Sequence, residues 1–532
     1  MGEGFLLDKE MLGLISGLSD EGVKRVIEIF RNLKIEERVI NKNLLIGCFE
    51  KLETLLRIKL EDDEIYSFFK KVGYCKKSDI DSKVVEEKGK VKLISAPAFF
   101  QKKIEVKDFI KHFRARYEVL KGILESKNLD NLTSIRKIEM NRGSHTIIAA
   151  VFKKRMTKNK NLFLEVEDLT GNIIVLVNQN KKEVFKKAKD LLNDDIVAFS
   201  VSGTSEMLFA NDVIFPEAGL VEKRYSEFDE YVAFSGDFHI GSTMFLEKNL
   251  LRFVEWLNGT WGDEKQKAIA KKVKYLFLLG DNIDGVNHYP GQEKYLIEKT
   301  SEGQYKKVEE ILRLIREDIR IIMCPGQHDA VWVGEPQPII GERFAKGLHE
   351  MKNLSLVPNP SLVEIDGGFR ILMYHGASIN QFIEEIPEIR VKFGHNSPTR
   401  VVKEMLKRRH LAPIHGVMDY IPCEQGDSLV IDKIPDIIAT ADQHRAEVSI
   451  FNNILMIASS CWQSITPFEE KVGNVPDPCK VPLFNLKTRE IKMLDFSDEL
   501  KEIEWENGGE LSCNLKEDES LNLPLIKVGD EK

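Results

Sequence analysis

The sequence lacks the features that mark a membrane, secreted or disulfide-bonded protein. No run of eighteen or more apolar residues occurs in its 532 positions, so we expect no transmembrane helix. The first residues carry acidic side chains where a signal peptide carries basic ones, which predicts a cytoplasmic location. The seven cysteines are scattered singly, without a Cys-x-x-Cys pair. This spacing predicts reduced thiols rather than a disulfide framework or a zinc knuckle.

The excess of acidic residues is concentrated at one end of the chain. The formal net charge is −8, and residues 497–532, with eleven Asp or Glu and four Lys, carry −7 of it. The remainder is close to neutral and has room for basic patches, so the overall charge does not exclude a nucleic-acid substrate. We expect residues 496–532 to form an acidic, mobile tail.

The spacing of apolar residues changes along the chain and predicts a multidomain protein. Residues 1–72 repeat apolar side chains every three to four positions and predict a helical module, followed by a charged linker and helix over residues 73–134. Residues 135–220 contain short alternating strands, among them LFLEVEDLTGNIIVLV, and predict a small β-barrel of the OB-fold class. Residues 231–495 alternate apolar strands with amphipathic helices and predict an α/β two-sheet sandwich. The basic loop KKRMTKNKN in the barrel region is typical of single-strand binding, but no clear aromatic stacking platform accompanies it, which favours a structural or docking barrel.

Five apolar runs of the sandwich region end in aspartate or histidine. They are FSGDFHIGS (234–242), VKYLFLLGDNIDG (273–285), IRIIMCPGQHDA (319–330), FRILMYHGAS (369–378) and PDIIATADQHRAE (435–447). Alternate residues of a strand share a face, and ligand sites in open α/β sheets lie beyond the carboxyl ends of strands. A single ending of this kind is typical of a turn, whereas five in sequence predict one metal site.

The donors at these strand ends are oxygens and imidazoles, without thiolate. This mixture suits manganese, magnesium, iron or zinc, with manganese a good candidate. The donors are too numerous for one ion. Two ions roughly 3.5–4 Å apart, bridged by a carboxylate, would use them and suit phosphoryl chemistry.

The order of these motifs resembles the calcineurin-like metallophosphoesterase family. Three further stretches, AVWVGEPQP (330–338), LKRRHLAP (406–413) and WQSITPFEE (462–470), resemble the family of small subunits of archaeal family-D DNA polymerases, as does the order of helical module, OB-fold and phosphoesterase domain. The resemblance implies a metal-dependent 3'→5' exonuclease with a proofreading role. It also implies a large polymerising subunit as partner, and single-stranded 3' ends of DNA as substrate.

The resemblance assigns roles to individual residues of this chain. The implied ligands of the first metal are Asp237, His239, Asp281 and His444, with Asp281 bridging. The implied ligands of the second metal are Asp281, Gln327, His375 and Asp442. His328 is the implied catalytic histidine near the leaving oxygen, and Asp329 is implied to orient it.

Two of these positions depart from the family's pattern, and both belong to the second metal. The family usually has asparagine where this chain has Gln327, and histidine where it has Asp442. Glutamine keeps the amide oxygen but moves it outward by one methylene, and aspartate replaces a neutral imidazole with a negative charge. The second site is therefore either retuned toward oxygen-preferring cations or partly decayed, because metal sites tolerate ligand displacements of only about 0.5 Å.

A basic segment follows the fourth motif. EIRVKFGHNSPTRVVKEMLKRRH (388–410) has a density of positive charge that predicts a path for a DNA backbone, although a solvated helix face is an equal alternative. The candidate DNA-binding residues are Arg390, Lys392, Arg400, Lys407, Arg408 and Arg409.

Three classes of function stay open from the sequence. The first is a nuclease subunit of a replicative polymerase, and the second is a catalytically weakened scaffold on the same fold. The third, a stand-alone phosphoesterase, is disfavoured by the barrel region and by the three polymerase-specific stretches.

Overall fold

The computed structural model describes residues 91–497 except 101, 417 and 418, together with residues 501–503 and short pieces of the N-terminal region. The chain divides into two compact units, Met1–Glu87 and Lys88–Lys532. In the first unit, strands β1 (Leu6–Leu7) and β2 (Val39–Ile40) pair in parallel. Most of the predicted helical module and most of the predicted acidic tail lie outside the described residues.

The second unit begins with a strand inside the predicted linker. Strand β3 (Lys92–Ser95) pairs antiparallel with a strand of the sandwich, so the prediction of a linker is wrong for these four residues. The abundance of lysine and glutamate around them hides a short strand whose Ile94 packs on the sandwich core. Helix α1 (Val106–Glu125) follows, opened by a reciprocal pair of hydrogen bonds between Glu105 and Asp108, which satisfies amides of the first turn.

A closed five-stranded barrel lies between α1 and the sandwich. Its elements are β4 (Gly143–Met156), β5 (Leu162–Asp168), β6 (Gly171–Val177), α2 (Lys182–Lys189), β7 (Ile196–Gly203) and β8 (Leu208–Ile214). The strand order is β4-β5-β6-β8-β7, with β6 and β8 parallel and the other pairs antiparallel. Alternate residues fill the interior, as Leu162, Leu164 and Val166 of β5 do. Tyr117, Leu120 and Leu124 of α1 pack on the outside of β4 and β7.

The rest of the unit is a sandwich of two mixed sheets with helices outside. Its elements in chain order are β9 (Tyr231–Ser235), α3 (Glu247–Leu257), α4 (Glu264–Ala270), β10 (Val273–Leu279), α5 (Ser301–Leu312), β11 (Arg320–Cys324), α6 (Glu342–His349), β12 (Leu354–Leu356), β13 (Ser361–Ile365), β14 (Phe369–Met373), α7 (Ile379–Glu385), α8 (Pro387–Lys392), α9 (Pro398–Arg408), β15 (Ile437–Thr440), β16 (Glu447–Phe451), β17 (Ile454–Ala458), α10 (Pro467–Val472), β18 (Lys480–Asn485), β19 (Ile491–Asp495) and β20 (Lys501–Ile503). One sheet has the order β12-β11-β10-β9-β18-β19-β20 and the other β16-β17-β15-β14-β13-β3. Strand β20 pairs with β19, so the sheet extends into the region predicted as tail.

The sandwich core has three layers of apolar contacts. Between the sheets, Phe234 and Phe277 stack with ring centroids 5.5 Å apart, within a cluster that includes Ile371 and Ile437 of the facing sheet. One outer cluster packs helices α3 and α5 on the first sheet, and another packs α7 and α9 on the second. Because both faces of each sheet are covered, central strands such as β10 read as continuous apolar runs.

The parallel strands bring the five polar motifs to one place. Strands β9, β10 and β11 are parallel neighbours in one sheet, and β14 and β15 are parallel neighbours in the other. Their carboxyl ends therefore lie at the same edge of each sheet, where ligand-bearing turns gather in folds of this kind.

The inter-sheet stack predicts a large mutational effect. Phe277 is fully buried, so Phe277→Ala should lower the free energy of unfolding by about 3–5 kcal/mol, through lost transfer energy and the cavity left behind. Phe152→Ala, at a residue of β4 that is 61% exposed, is the control and should change it by less than about 0.5 kcal/mol. Denaturant unfolding followed by tryptophan fluorescence measures both. Equal effects for the two variants would contradict the assignment of the inter-sheet core.

Candidate metal centre

Five of the predicted ligands have left-handed backbone conformations. Asp237, His239, Asp281, Asp442 and His444 have φ values of 49°, 48°, 48°, 67° and 56°. Residues with a β-carbon pay about 1–3 kcal/mol for such geometry, which persists only where the surroundings enforce it. The tight turns reverse the chain directly after β9, β10 and β15 and aim the side chains at one point.

Main-chain hydrogen bonds hold these turns together. The amide of Asp237 donates to Gly280 O and that of His239 to Asp281 O, both at 3.0 Å. The Asp442 amide donates to Asp237 Oδ2 at 2.9 Å, and the His328 amide donates to Asp281 Oδ1 at 2.8 Å. Each loop is thus fixed by an atom of another loop, so the ligand positions are set jointly.

Two glycines are required because the loops approach one another so closely. A β-carbon at Gly326 would lie 2.3 Å from Asp281 Oδ1, and one at Gly280 would lie 2.6 Å from His375 Nδ1. Any larger residue would displace the very donors that the predicted site needs. The glycines of the second and third motifs therefore serve close approach as well as turning.

The first predicted metal position brings two imidazoles and a carboxylate together. Asp237, His239 and His444 present donor atoms that all lie within 4.8 Å of one another. The Nε2 atoms of His239 and His444 face each other at 3.1 Å. His444 Nδ1 is hydrogen-bonded to Glu469 Oε1 at 2.8 Å, which turns Nε2 toward the centre as in carboxylate–histidine–metal arrangements. Asp237 Oδ1 is buried and has no hydrogen-bond partner within the described residues.

The second predicted position is centred on His375. Asp237, Asp281 and His375 form another group of donors within 4.8 Å. His375 Nδ1 is hydrogen-bonded to Leu279 O at 2.8 Å, so Nε2 faces the site, 3.4 Å from Asp281 Oδ2 and 3.7 Å from Asp442 Oδ1. Gln327 lies half-buried in the turn after β11, and its side chain makes no hydrogen bond within the described part of the chain.

The donor set fits divalent cations. His375 Nε2 and Asp237 Oδ1 are buried polar atoms without hydrogen-bond partners in the described ranges, although buried polar groups are nearly always paired. They point into one small volume lined by carboxylates and imidazoles. A cation there would satisfy them, and oxygen with imidazole is a donor combination that manganese accepts.

The charges of the site are strongly coupled. Burial raises the pKa of Asp237 to about 7, against the opposing pull of His444 and His375. Burial acts the same way on Asp281, but the nearby imidazoles, His375 first, outweigh it and hold that pKa well below its usual range. Burial is the main cause that lowers the pKa of His239. The two carboxylates therefore hold their protons very differently, and Asp281 is the one that stays ionised.

His328 is oriented by a different residue from the one predicted. Its Nδ1 is hydrogen-bonded at 2.8 Å to the main-chain oxygen of Asp284. The Asp329 carboxylate instead accepts hydrogen bonds from Tyr305, Asn282 and the Gly326 amide. Asp329 thus fixes the loops beneath the site, because its oxygens are saturated away from the imidazole. The implied role of Asp329 in orienting His328 is wrong.

Asp284 is the main site residue that was not predicted as functional. Its Oδ1 lies 3.3 Å from His239 Nδ1, and it forms a third donor group with His239 and His328. Gln292 and Gln463 donate hydrogen bonds to its two oxygens. The sequence offered one signal, the position of Asp284 three residues after Asp281 in the same motif.

Two of the polymerase-specific stretches build the walls of the centre. In WQSITPFEE, the Trp462 amide donates to Asp237 O at 2.9 Å, and Glu469 holds His444. In AVWVGEPQP, Gln337 Nε2 donates to the oxygens of Gly326 and Trp332, while Glu335 accepts a 2.7 Å hydrogen bond from Tyr374. These contacts place both segments against the turns that carry the candidate ligands.

The basic segment does not form one DNA path. Arg408 is 2% exposed and pairs with Asp195 of the barrel at 3.1 Å and with Glu404, and Arg409 is 5% exposed and donates to the oxygens of Ile431 and Asp432. The prediction that these two arginines bind DNA is wrong, because their guanidinium groups are buried and already paired. Lys407 is 19% exposed and lies 3.4 Å from Glu404, so it is largely committed to the same network.

The other basic candidates are more accessible. Arg390 and Lys392 are exposed on α8, where Lys392 pairs with Glu388 at 3.0 Å. Arg400 is half-buried, with its guanidinium 4.0 Å from the centre of the Phe393 ring. DNA binding by these three residues remains a prediction. Within the described residues, none of the helices is both long and apolar enough to cross a bilayer.

The chain is similar to proteins of archaeal DNA replication. Residues 234–449 match the family described as the B subunit of DNA polymerase alpha/epsilon. The chain is 35% identical over 394 residues to the DNA polymerase II small subunit of Methanothermobacter thermautotrophicus, covering 74% of this chain and 80% of that protein. It is 33% identical over 484 residues to that of Archaeoglobus fulgidus, covering 90% and 93%. Vps29 of Entamoeba histolytica aligns over 51% of this chain and 98% of its own, but with 13% identity and a TM-score of 0.25, too low to bear on function. On the strength of its relatives, the chain belongs to the family of DNA polymerase II small subunits, the small subunits of archaeal family-D DNA polymerases.

Proposed function

We propose that the chain is a metal-dependent 3'→5' exonuclease that removes nucleotides from single-stranded 3' ends of DNA in a proofreading role. The observation that supports this most is the pair of overlapping donor groups, Asp237–His239–His444 and Asp237–Asp281–His375, gathered at the carboxyl ends of parallel strands. Two divalent cations, with manganese the preferred candidate over magnesium, iron and zinc, would supply Lewis acidity toward a phosphodiester and stabilise the charge that develops during its displacement.

The residues of the chain divide the remaining work. Asp237, His239 and His444 would hold the first ion, Asp281 would be shared, and the second would be held by Gln327, His375 and Asp442. His328 is half-buried and its Nδ1–H donates to Asp284 O, so the imidazolium form would pass its Nε2 proton to the leaving oxygen. Burial of the ligands in a water-poor site strengthens their interaction with a cation.

We propose that the barrel is an OB-fold. We also propose that it forms part of the docking surface for a large polymerising subunit. In support, a helix (α2) lies between the third and fourth strands, and the strand order closes β4 on β7. Phe163, Leu176 and Phe209 are register neighbours on the outside of adjacent strands, and the Arg155 guanidinium lies 3.9 Å from the centre of the Phe163 ring. A row of partly exposed apolar side chains on a barrel exterior is a surface suited to a protein partner.

A catalytically weakened scaffold is the second candidate, and the altered second metal position favours it. Gln327 makes no hydrogen bond in the described residues that would fix its amide toward His375. Against this, Asp442 keeps an oxygen 3.7 Å from His375 Nε2. Cleavage assays separate the two candidates.

Replacing the catalytic and bridging residues should have different consequences. His328→Ala should lower cleavage of single-stranded DNA by about 100- to 10,000-fold while metal binding and melting temperature stay unchanged, because the imidazole acts on the leaving group. Asp281→Asn should weaken metal binding at both positions, since the shared carboxylate is lost. His145→Ala, in the barrel, is the histidine control. Full cleavage by His328→Ala would remove this residue from the mechanism.

Restoring the family's donors tests the second position. Gln327→Asn combined with Asp442→His should raise the cleavage rate or change which cation supports it best, because both residues serve one ion. The two changes are tested together, since ligands of one ion do not contribute additively. If wild type matches the double variant with Mn²⁺, Mg²⁺, Zn²⁺ and Fe²⁺ alike, the idea of a weakened site is incorrect. If neither cleaves DNA even beside the large subunit, the scaffold candidate is preferred.

The partner proposal predicts a stable complex. Co-expression of the chain with the large subunit of a family-D polymerase should yield a heterodimer or higher assembly by size-exclusion chromatography. Phe163→Glu combined with Phe209→Glu should weaken it, because charge is placed on the apolar row, whereas Phe152→Glu on β4 is the matched control. A chain that stays monomeric in the presence of the large subunit would count against the docking role.

A further inference from the structure

The two oxygens of Asp442 have different surroundings. Its Oδ2 accepts a 2.7 Å hydrogen bond from Gln443 Nε2, whereas Oδ1 lies 3.7 Å from His375 Nε2. The Asp442 amide is fixed as well, by its 2.9 Å hydrogen bond to Asp237 Oδ2. The carboxylate is therefore held with one oxygen engaged by protein and the other turned toward the second metal position.

The side chain of Gln443 is itself fixed by further contacts. Its Nε2 also donates to Asn380 Oδ1 at 3.1 Å, and its Oε1 lies 3.1 Å from His395 Nδ1. Because an amide oxygen only accepts, this contact makes His395 Nδ1 the donor. Gln443 is 3% exposed, so both amide groups are used inside the protein and the side chain has one orientation.

We propose that Gln443 is a positioning residue that makes Asp442 a one-oxygen ligand of the second metal ion. The chain from His395 through Gln443 to Asp442 restrains the carboxylate against rotation and keeps Oδ2 from binding the ion. Such hydrogen-bonded partners of ligands typically change metal affinity by about 10- to 100-fold. The inference rests on the proposed two-ion exonuclease site and specifies how its altered half is organised: the second position is built around a carboxylate rather than left incomplete.

The test is binding of Mn²⁺ alone to the full-length chain by isothermal titration calorimetry, with variants of both residues. Gln443→Met removes the donor at similar volume. It should weaken binding of the second ion by about 10- to 100-fold and leave binding of the first ion unchanged. Asp442→Asn should weaken binding of the second ion as well. The double variant should bind it no more weakly than Asp442→Asn alone, because Gln443 acts only through Asp442.

Two controls separate positioning from a general structural role. In EDTA each variant should still unfold cooperatively, and Gln443→Met should lose only the stability that its own hydrogen bonds supply. Gln179→Met, at an exposed glutamine of the barrel region, should bind both ions normally. The proposal is overturned if Gln443→Met binds the second ion as tightly as wild type does. It is also overturned if Gln443→Met lowers affinity for that ion by the same factor in the Asp442→Asn variant as in wild type.

The same titration distinguishes this inference from the proposed function. A wild-type chain that binds two ions and cleaves DNA, with Gln443→Met indistinguishable from it, would overturn the positioning role alone. A wild-type chain that binds no second Mn²⁺ would overturn both the positioning role and the two-ion mechanism. A third outcome is a wild-type chain that binds two ions without cleaving DNA, while Gln443→Met shows the expected loss of affinity for the second ion. This result would support the positioning role and overturn the exonuclease.

Discussion

The carboxylate of Asp281 is the contact on which the rest of the centre depends. It lies 3.4 Å from His375 Nε2 and accepts a hydrogen bond from the His328 amide, so it touches the loops after β11 and β14 while belonging to the loop after β10. It occupies space that any side chain at Gly326 would take. The neighbouring imidazoles keep this carboxylate ionised, which is the charge state in which it links the donor groups.

The positions of the candidate ligands in the fold were predictable because they follow from local rules. An apolar run that ends in glycine and aspartate reports a buried strand and a tight turn, and parallel strands place such turns at one edge. The seven predicted ligands lie on these turns, and the donor groups of the structure gather Asp237, His239, Asp281, His375 and His444. The barrel strands were predictable from alternation for the same reason, since inward positions such as Leu162 and Leu164 are two apart.

What sequence reasoning missed depends on tertiary contacts. Glu469 holds His444 from a helix 25 residues away, and nothing in its own neighbourhood marks it as a partner of an imidazole. The density of positive charge predicts Arg408 as a DNA contact because it carries no information on side-chain direction. In the structure, this side chain leaves α9 on the face that meets Asp195 of the barrel. The sequence does not predict strand β3, because its charged composition is typical of a linker and only its pairing with β13 makes it a strand. The first 90 residues lie mostly outside the described ranges, so the helical module stays a prediction.

The left-handed turns have a consequence for the stability of the polypeptide. His239 and His444 adopt backbone conformations that favour glycine or asparagine, and their rings face each other at 3.1 Å inside the fold. The strained backbone at these two residues opposes folding, and the apolar layers around Phe234 and Phe277 must offset that strain. Glycine at either position would relieve the backbone strain, so a chain selected only as a scaffold would gain stability there by losing the histidine. A metal site at this edge of the sheets would therefore be built at a cost to the stability of the fold.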